Sequence, residues 1–339
     1  VSAIRAYAVP AAGKPLEPFS YEPAPLGRDQ VEIAVSHCGV CHSDLSMANN
    51  DWGNAVFPLV PGHEIVGRVV AAGDAVRRVK VGDRVGLGWF AGSCMSCPSC
   101  LSGNHNLCGT AEQTIVGRHG GFADRVRANW EWATPLPDNL DEASAGPLFC
   151  GGITVFAPIL NSGLRPTDRA GVVGIGGLGH LAIKFLAKWG CEVVALTSSA
   201  SKQAEAIAMG AHSAVDSRNP AELARLVGSL DFLLVTANVP MDWNAMLAAL
   251  APKGRLHFVG AVLEPIPVPA FALISGQKMV SGSPLGSPHA TALMLDFCAR
   301  HQIAPTIEMF PMSQVNDALE HLRDGKARYR IVLKNDFPQ

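Results

Sequence analysis

Short apolar runs separated by glycine, proline and polar turns fill the first 150 residues. "VEIAVSHCGV" and "IVGRVVAAG" are β-branched and bounded by turn residues, so they read as strands. Residues 1–150 are therefore expected to form an irregular, mainly β domain. From Ala170 the pattern changes. "AGVVGIG", "CEVVALT", "DFLLVT" and "RLHFVG" are short, almost wholly apolar runs with helical segments between them. Leu178, Leu181, Ala182, Phe185 and Trp189 fall on one face at helical spacing. Buried parallel strands with crossover helices give a doubly wound α/β sheet. "SGSPLGSP", residues 281–288, reads as a break after the last strand of that sheet. An amphipathic helix (about Ala290 to Arg300) and a final strand, "YRIVLK", follow it. Periodicity alone leaves open whether this tail completes the second domain or returns to the first.

Length agrees with this division. A chain of 339 residues suits two domains at roughly 100 to 200 residues each. Its 48% hydrophobic and 17% charged content excludes intrinsic disorder for the bulk of the chain. A net charge of -2 without any Lys/Arg run excludes the electrostatic footprint of a nucleic-acid binder. No run approaches the ~20 apolar residues of a membrane span, and "VSAIRAYAVP" has no apolar signal-peptide core. A cytoplasmic protein is expected. Of nine cysteines, six lie between positions 38 and 108, which suits metal ligation in a reducing compartment better than a disulfide framework.

"GIGGLG" places Gly174, Gly176 and Gly179 in GxGxxG spacing, with Gly177 between them, after a buried strand and before a helix. Glycines there permit a tight turn and close backbone approach, so a pyrophosphate can sit on the helix N-terminus. The following run should end in an acid if the cofactor were NAD, because a carboxylate there binds the ribose hydroxyls. It ends instead in Thr197, Ser198 and Ser199, with Lys202 nearby. Small hydroxyls leave room for a 2′-phosphate, and Lys202 adds positive charge, which favours NADP(H). The same hydroxyls also suit capping of the next helix.

Cys94, Cys97, Cys100 and Cys108 form CxxCxxCx7C in a glycine-rich loop. Four thiolates so close in sequence can close a tetrahedral shell around zinc and hold a loop that has no core of its own. An iron-sulfur cluster is the chemical competitor, but the fourth spacing differs from ferredoxin runs. A closed shell offers no place for substrate, so that zinc would be structural. A catalytic zinc needs three protein ligands and a vacancy. Cys41, His63, Glu64 and Cys150 are the candidates outside the loop. Taken singly, Cys150 and Cys38 also read as small buried hydrophobes and His63 as a satisfied core histidine.

The motifs "GHE", CxxCxxCx7C, "GIGGLGHLAIK" and "DGKARYRIVLK" together resemble the zinc-dependent medium-chain alcohol dehydrogenases over essentially the whole chain. "CHSDLSM", "LFCGGITVF" and "MFPMSQVNDA" are most similar to the cinnamyl alcohol dehydrogenase branch, and within it to bacterial broad-range NADPH-dependent aldehyde reductases. The resemblance implies a GroES-like, mainly β catalytic domain (1–150) with the zinc loop. It also implies a Rossmann NADP-binding domain (151–286) and a C-terminal return to the catalytic domain (287–339). Cys41, His63 and Cys150 are then ligands of a catalytic zinc. Glu64 is an outer group or transient fourth ligand, and Asp44 orients the ligating histidine. Ser43 bonds the substrate oxygen, His42 lies near the cofactor pyrophosphate, and Cys38 matches no ligand.

The implied activity is reversible reduction of aldehydes to primary alcohols, with zinc as Lewis acid, hydride from NADPH and a proton passed through Ser43. Many relatives carry a histidine where this chain has Ser46, at the outer end of the proton path. Trp52, Trp89 and Leu285 match substrate-cleft positions, though core packing also accounts for a tryptophan. His105, His119 and His180 are read as solvated loop or helix residues. The expected partners are small aldehydes and alcohols and a second copy of the chain in a homodimer. Competing readings are a zinc-free quinone or enone reductase, which usually lacks both cysteine constellations, and a nucleotide-binding protein without turnover.

Overall fold

The apolar runs of the first 150 residues form strands in the computed structural model, which describes residues 3–338. The chain divides into two compact units, Val1–Ile153 with Gly286–Gln339, and Thr154–Leu285.

In the first unit β1 (Ile4–Ala8) pairs antiparallel with β2 (Glu17–Tyr21). Next, β3 (Gln30–Val40), β4 (Glu64–Ala72) and β5 (Arg84–Leu87) are antiparallel neighbours. A small separate sheet of β6 (Phe90–Gly92) and β7 (Glu112–Gln113) flanks the four-cysteine loop. Strands β8 (Arg125–Asn129) and β9 (Thr134–Pro135) then join β3 and β5. Val31, Ile33 and Val35 of β3 are buried at alternate positions, and Cys38 and Val40 are buried beyond a break at His37. That break coincides with a register shift against β4 between Val35 and His37. The two strands approach so closely that an ideal Cβ on Gly67 would lie 2.0 Å from the Ala34 carbonyl oxygen.

The second unit is the doubly wound sheet expected from the run pattern. Its strands are β10 (Arg169–Val173), β11 (Glu192–Leu196), β12 (Ser213–Val215), β13 (Leu230–Val235), β14 (Leu250–Phe258) and β15 (Met279–Gly282). They lie in the order β12-β11-β10-β13-β14-β15, and every pairing is parallel. Val173, Val194, Leu196, Leu233, Val235 and Leu256 form its core. Strand β15 revises the sequence reading: the supposed break at 281–288 begins inside it. Four residues with Met279 and Val280 exposed leave no apolar run to detect.

The helix Gly179–Trp189 buries Leu181, Ala182 and Phe185, and also Ile183 and Leu186, so its apolar stripe is wider than one narrow face. Beyond Gly286, the helix Pro288–His301 is followed by β16 (Ile307–Pro311) and β17 (Arg330–Lys334). β17 pairs antiparallel with β3, Ile331 opposite Val40, so the tail strand lies beside the strand that ends just before Cys41.

Gly67→Ala should cost about 1–3 kcal/mol, because the obstructing atom is backbone on a neighbouring strand. The measurement is a denaturant melt, with a lower midpoint and an unchanged slope. An unchanged midpoint would mean that β3 and β4 can part without cost.

Candidate metal and cofactor sites

Strand β3 ends at Val40, and Cys41 is the N-cap of the helix His42–Asn49. Two residues into that helix Asp44 is fully buried, and its carboxylate gathers three donors. Oδ2 accepts the Cys41 N–H at 2.9 Å, while Oδ1 accepts the Gly62 N–H at 2.9 Å and His63 Nδ1 at 3.0 Å. With Nδ1 donating to Asp44, the other imidazole nitrogen is the one left to bind metal. His63 Nε2 lies 3.3 Å from Cys150 Sγ, which in turn is 3.9 Å from Cys41 Sγ.

One ligand atom from each of Cys41, His63, Glu64 and Cys150 falls within 4.8 Å of all the others. The hydrogen bond from the Cys150 thiol, with help from His63, holds the Cys41 thiol well below its ordinary range. A thiol so placed readily becomes the thiolate that metals bind. Cys38 belongs to no such group: it is wholly buried against the Gly39 carbonyl, and burial pushes its thiol up.

Glu64 is fully buried at the start of β4, where Arg330 of β17 donates to its Oε1. Its Oε2 has no hydrogen-bond partner. Burial, opposed by Arg330, pushes its carboxyl up to about 7. Arg330 is the residue that sequence reading missed. "YRIVLK" looks like an ordinary strand, and only the pairing of β17 with β3 brings its arginine to Glu64.

Around this group, Ser43 Oγ is 3.8 Å from Cys41 Sγ, and His42 is exposed at the first helical position. Ser46, one turn on, is half-buried. The Trp89 ring stands edge-on to His63 at 4.9 Å, and Trp52, 44% exposed, stands edge-on to Trp89 at 5.9 Å. Leu285 is the last residue of the other unit, at φ 46°.

The second cysteine group is equally tight. Cys94 Sγ lies 3.5 Å from Cys108 Sγ and 3.9 Å from Cys100 Sγ, and Cys97 completes a set within 4.8 Å. Backbone N–H groups of Ser96 and Cys97 hold the Cys94 thiol down to about 5. Leu101 and Leu107 of this lobe are 76% and 54% exposed, so apolar burial does little to order it. A shared metal is the cross-link such a lobe can use. His105 and His119 are half-buried outside both groups, His119 packing on Tyr21 at 4.3 Å. His180 corrects the expectation of a solvated ring: it is fully buried, with Nδ1 3.1 Å from the Gly176 carbonyl one turn back.

In the second unit the turn after β10 has the form a pyrophosphate requires. Gly174 is at φ 87°, and a Cβ on Gly179 would lie 1.9 Å from the Gly174 carbonyl oxygen, so turn and helix touch backbone to backbone. A Cβ on Gly176 would meet nothing within 4 Å, and the helix N-cap, Leu178, makes no side-chain cap. Open space in front of uncapped N–H donors, with Gly177 in the same turn, fits a diphosphate. Past β11 the three hydroxyls separate. Thr197 is buried, with its Oγ1 accepting the Ser199 N–H at 3.3 Å; Ser198 is exposed. Ser199 is the N-cap of the helix Ala200–Ala208 but makes no side-chain cap, so capping does not consume its hydroxyl. Lys202 is half-buried on that helix.

Residues 27–138 match the alcohol dehydrogenase GroES-like domain, and residues 177–300 match the zinc-binding dehydrogenase domain. The chain is 56% identical to aldehyde reductase AdhA of Synechocystis over 332 residues, 98% of this chain and 99% of that one. It is 40% identical to cinnamyl alcohol dehydrogenase 7 of Arabidopsis thaliana, covering 94% and 92% of the two chains. Among solved structures, a cinnamyl alcohol dehydrogenase from Sorghum bicolor superposes over both whole chains with TM-score 0.94 at 35% identity. A Helicobacter pylori enzyme complexed with NADP(H) gives TM-score 0.89 at 27% identity, covering 98% of each chain.

Removing Arg330 should strand a buried carboxylate. Arg330→Met is expected to lose about 3–5 kcal/mol of stability, and the double variant Glu64→Gln/Arg330→Met should regain a large part of it. Urea melts of the four proteins measure this. Additive losses would show that the two side chains are not coupled.

Proposed function

The chain belongs to the zinc-dependent medium-chain alcohol dehydrogenase family, in its cinnamyl alcohol dehydrogenase branch, and from that premise we propose how its residues interconvert aldehydes and primary alcohols with NADP(H). One observation carries the reading: Cys41, His63 and Cys150 converge, and beside them Glu64 is held through Oε1 by Arg330 with its Oε2 unpartnered, in the place of an outer group or transient fourth ligand. Three protein ligands and one vacancy are what a catalytic zinc requires. When bound, the zinc supplies Lewis acidity to a carbonyl oxygen and the reduced cofactor supplies hydride.

The chain's own groups do the rest. Asp44 orients the His63 ring. Ser43, beside Cys41, is the hydroxyl that donates a proton to the oxygen as its charge develops. Trp89 and Trp52 supply an apolar wall, which favours aldehydes with apolar substituents and keeps water from the centre. Cys94, Cys97, Cys100 and Cys108 hold a structural zinc. Gly174, Gly176, Gly177 and Gly179 receive the pyrophosphate, and Ser198, Ser199 and Lys202 receive the 2′-phosphate, with Thr197 bracing their turn. His42 faces solvent at the start of its helix and is assigned to the cofactor side.

A homodimer fits the exposed surface of the second unit. Strand β15 is a sheet edge, and near it in sequence Leu263, Phe271 and Ile274 are 90%, 79% and 68% exposed. An edge strand pairing antiparallel with its own copy across a two-fold axis would satisfy its free backbone groups. The nine cysteines are all unbridged. No single helix among the described residues is long and apolar enough to cross a membrane. A reducing cytoplasm suits unbridged cysteines.

Metal analysis should find about two zincs per chain, and about one would leave only the structural site. Ser43→Ala should cut aldehyde reduction by about 10²-fold or more with zinc content unchanged, whereas Ser46→Ala should be mild. Near-wild-type turnover by the Ser43 variant would remove its proton role. Light scattering should give twice the chain mass, and Val280→Pro, which takes an N–H from the β15 edge, should shift it toward the monomer. An unchanged mass in that variant would move the interface elsewhere.

A further inference from the structure

The loops that leave β11 and β12 are tied together at their roots. Leu196 and Val215 are partners in the sheet, the Thr197 N–H donates to the Val215 carbonyl at 3.0 Å, and the Ser217 N–H donates to the Thr197 carbonyl at 3.3 Å. The next residue is Arg218. Its own N–H is held by Asp216 Oδ1 at 2.9 Å, and the Asp216 N–H is held by Glu222 Oε2 at 2.7 Å. Glu222 Oε1 takes the Asn219 side-chain amide at 3.0 Å. The nearby acidic groups are thus engaged with the backbone and Asn219. Arg218 is exposed, and no ion pair of its side chain with a carboxylate is found among the described residues.

Arg218, Ser217 and Ser198 line one concavity of about 530 Å³, together with Leu223, Met241 and Asp242. Asp242 spends one oxygen on the Ala245 N–H at 3.0 Å as a helix cap. The concavity is lined by the segments that follow the carboxyl ends of β11, β12 and β13, the side on which an open parallel sheet binds its ligand. Ser198 is in the turn proposed above to receive the 2′-phosphate, and Arg218 lines the same concavity.

We propose that Arg218 is a specificity-determining residue, a second cation that pairs with the 2′-phosphate of the cofactor beside Ser198. The assignment rests on the NADP(H) reading above and adds to it a residue on a different loop. A phosphate monoester carries about -1.5 to -2 charge at neutral pH, more than Lys202 alone can balance. A planar guanidinium can meet two of its oxygens at once. A cofactor with a free 2′-hydroxyl would offer Arg218 no anion.

Calorimetric titration of the zinc-loaded protein with 2′,5′-ADP and with 5′-AMP tests this, alongside kcat/KM for NADPH and NADH. Arg218→Ala should weaken 2′,5′-ADP about tenfold and leave 5′-AMP unchanged, and Arg218→Lys should restore part of the loss. The preference for NADPH over NADH should fall by a similar factor. Equal losses for both nucleotides would assign Arg218 to the adenine instead and overturn the proposal, as would no loss for either. A wild type that binds both nucleotides equally and uses NADH as well as NADPH would sink the NADP(H) reading itself. Retained wild-type preference with an indifferent Arg218 variant would sink only this assignment.

Discussion

Asp44 is a carboxylate with no exposure to solvent, and a charge so placed persists only if its oxygens are fully bonded. Its three donors come from Cys41 at the end of β3, Gly62 in the loop before β4, and His63. The carboxylate therefore joins two segments that the sheet brings together and fixes a ligand on each. The approach of Cys41 to His63 depends on strand register here: a slip of β3 against β4 would part the two and leave Asp44 buried without donors. The same logic extends to β17. Its pairing with β3 delivers Arg330 to Glu64, so the last strand of the chain neutralises a charge beside the centre.

The two cysteine groups have similar chemistry and opposite surroundings. Cys41 follows β3, His63 precedes β4 and Cys150 lies between two helical segments, so the sulfurs and His63 meet because the fold has already placed them. In the lobe from Cys94 to Cys108 the helical turns are only four and three residues long and the leucines face solvent. Apolar burial does little for that segment, so a ligand shell would supply much of its order. A metal in the first place completes a site, and a metal in the second completes a fold.

What the sequence made legible follows from range. The glycine turn, the four-cysteine loop and the parallel strands are local patterns, each complete within a few tens of residues, and periodicity or spacing suffices to see them. The resemblance carried the rest of the ligand set, since Cys41, His63 and Cys150 are far apart in the chain and individually ambiguous. Arg330 stayed hidden because its meaning lies in a pairing across 266 positions with Glu64. Strand β15 stayed hidden because an exposed edge has no apolar signature. His180 was misread because a helical position was taken to be solvated, whereas the carbonyl of Gly176 satisfies the ring inside the protein.

The helix that follows Cys41 also limits how a proton can leave Ser43. Asp44, Leu45, Met47 and Ala48 are buried, which removes four of the seven positions from 42 to 48. His42, Ser43 and Ser46 remain. Residues three apart lie on one face of a helix, so Ser43 and Ser46 are successive hydroxyls on the same side, while His42 points about 100° away. A serine hydroxyl donates and accepts at once and has no charge state near neutral pH, so it can pass a proton without holding it. With Ser46 at the outer position, the proton path proposed from Ser43 along this face of the helix would run over the hydroxyls of Ser43 and Ser46.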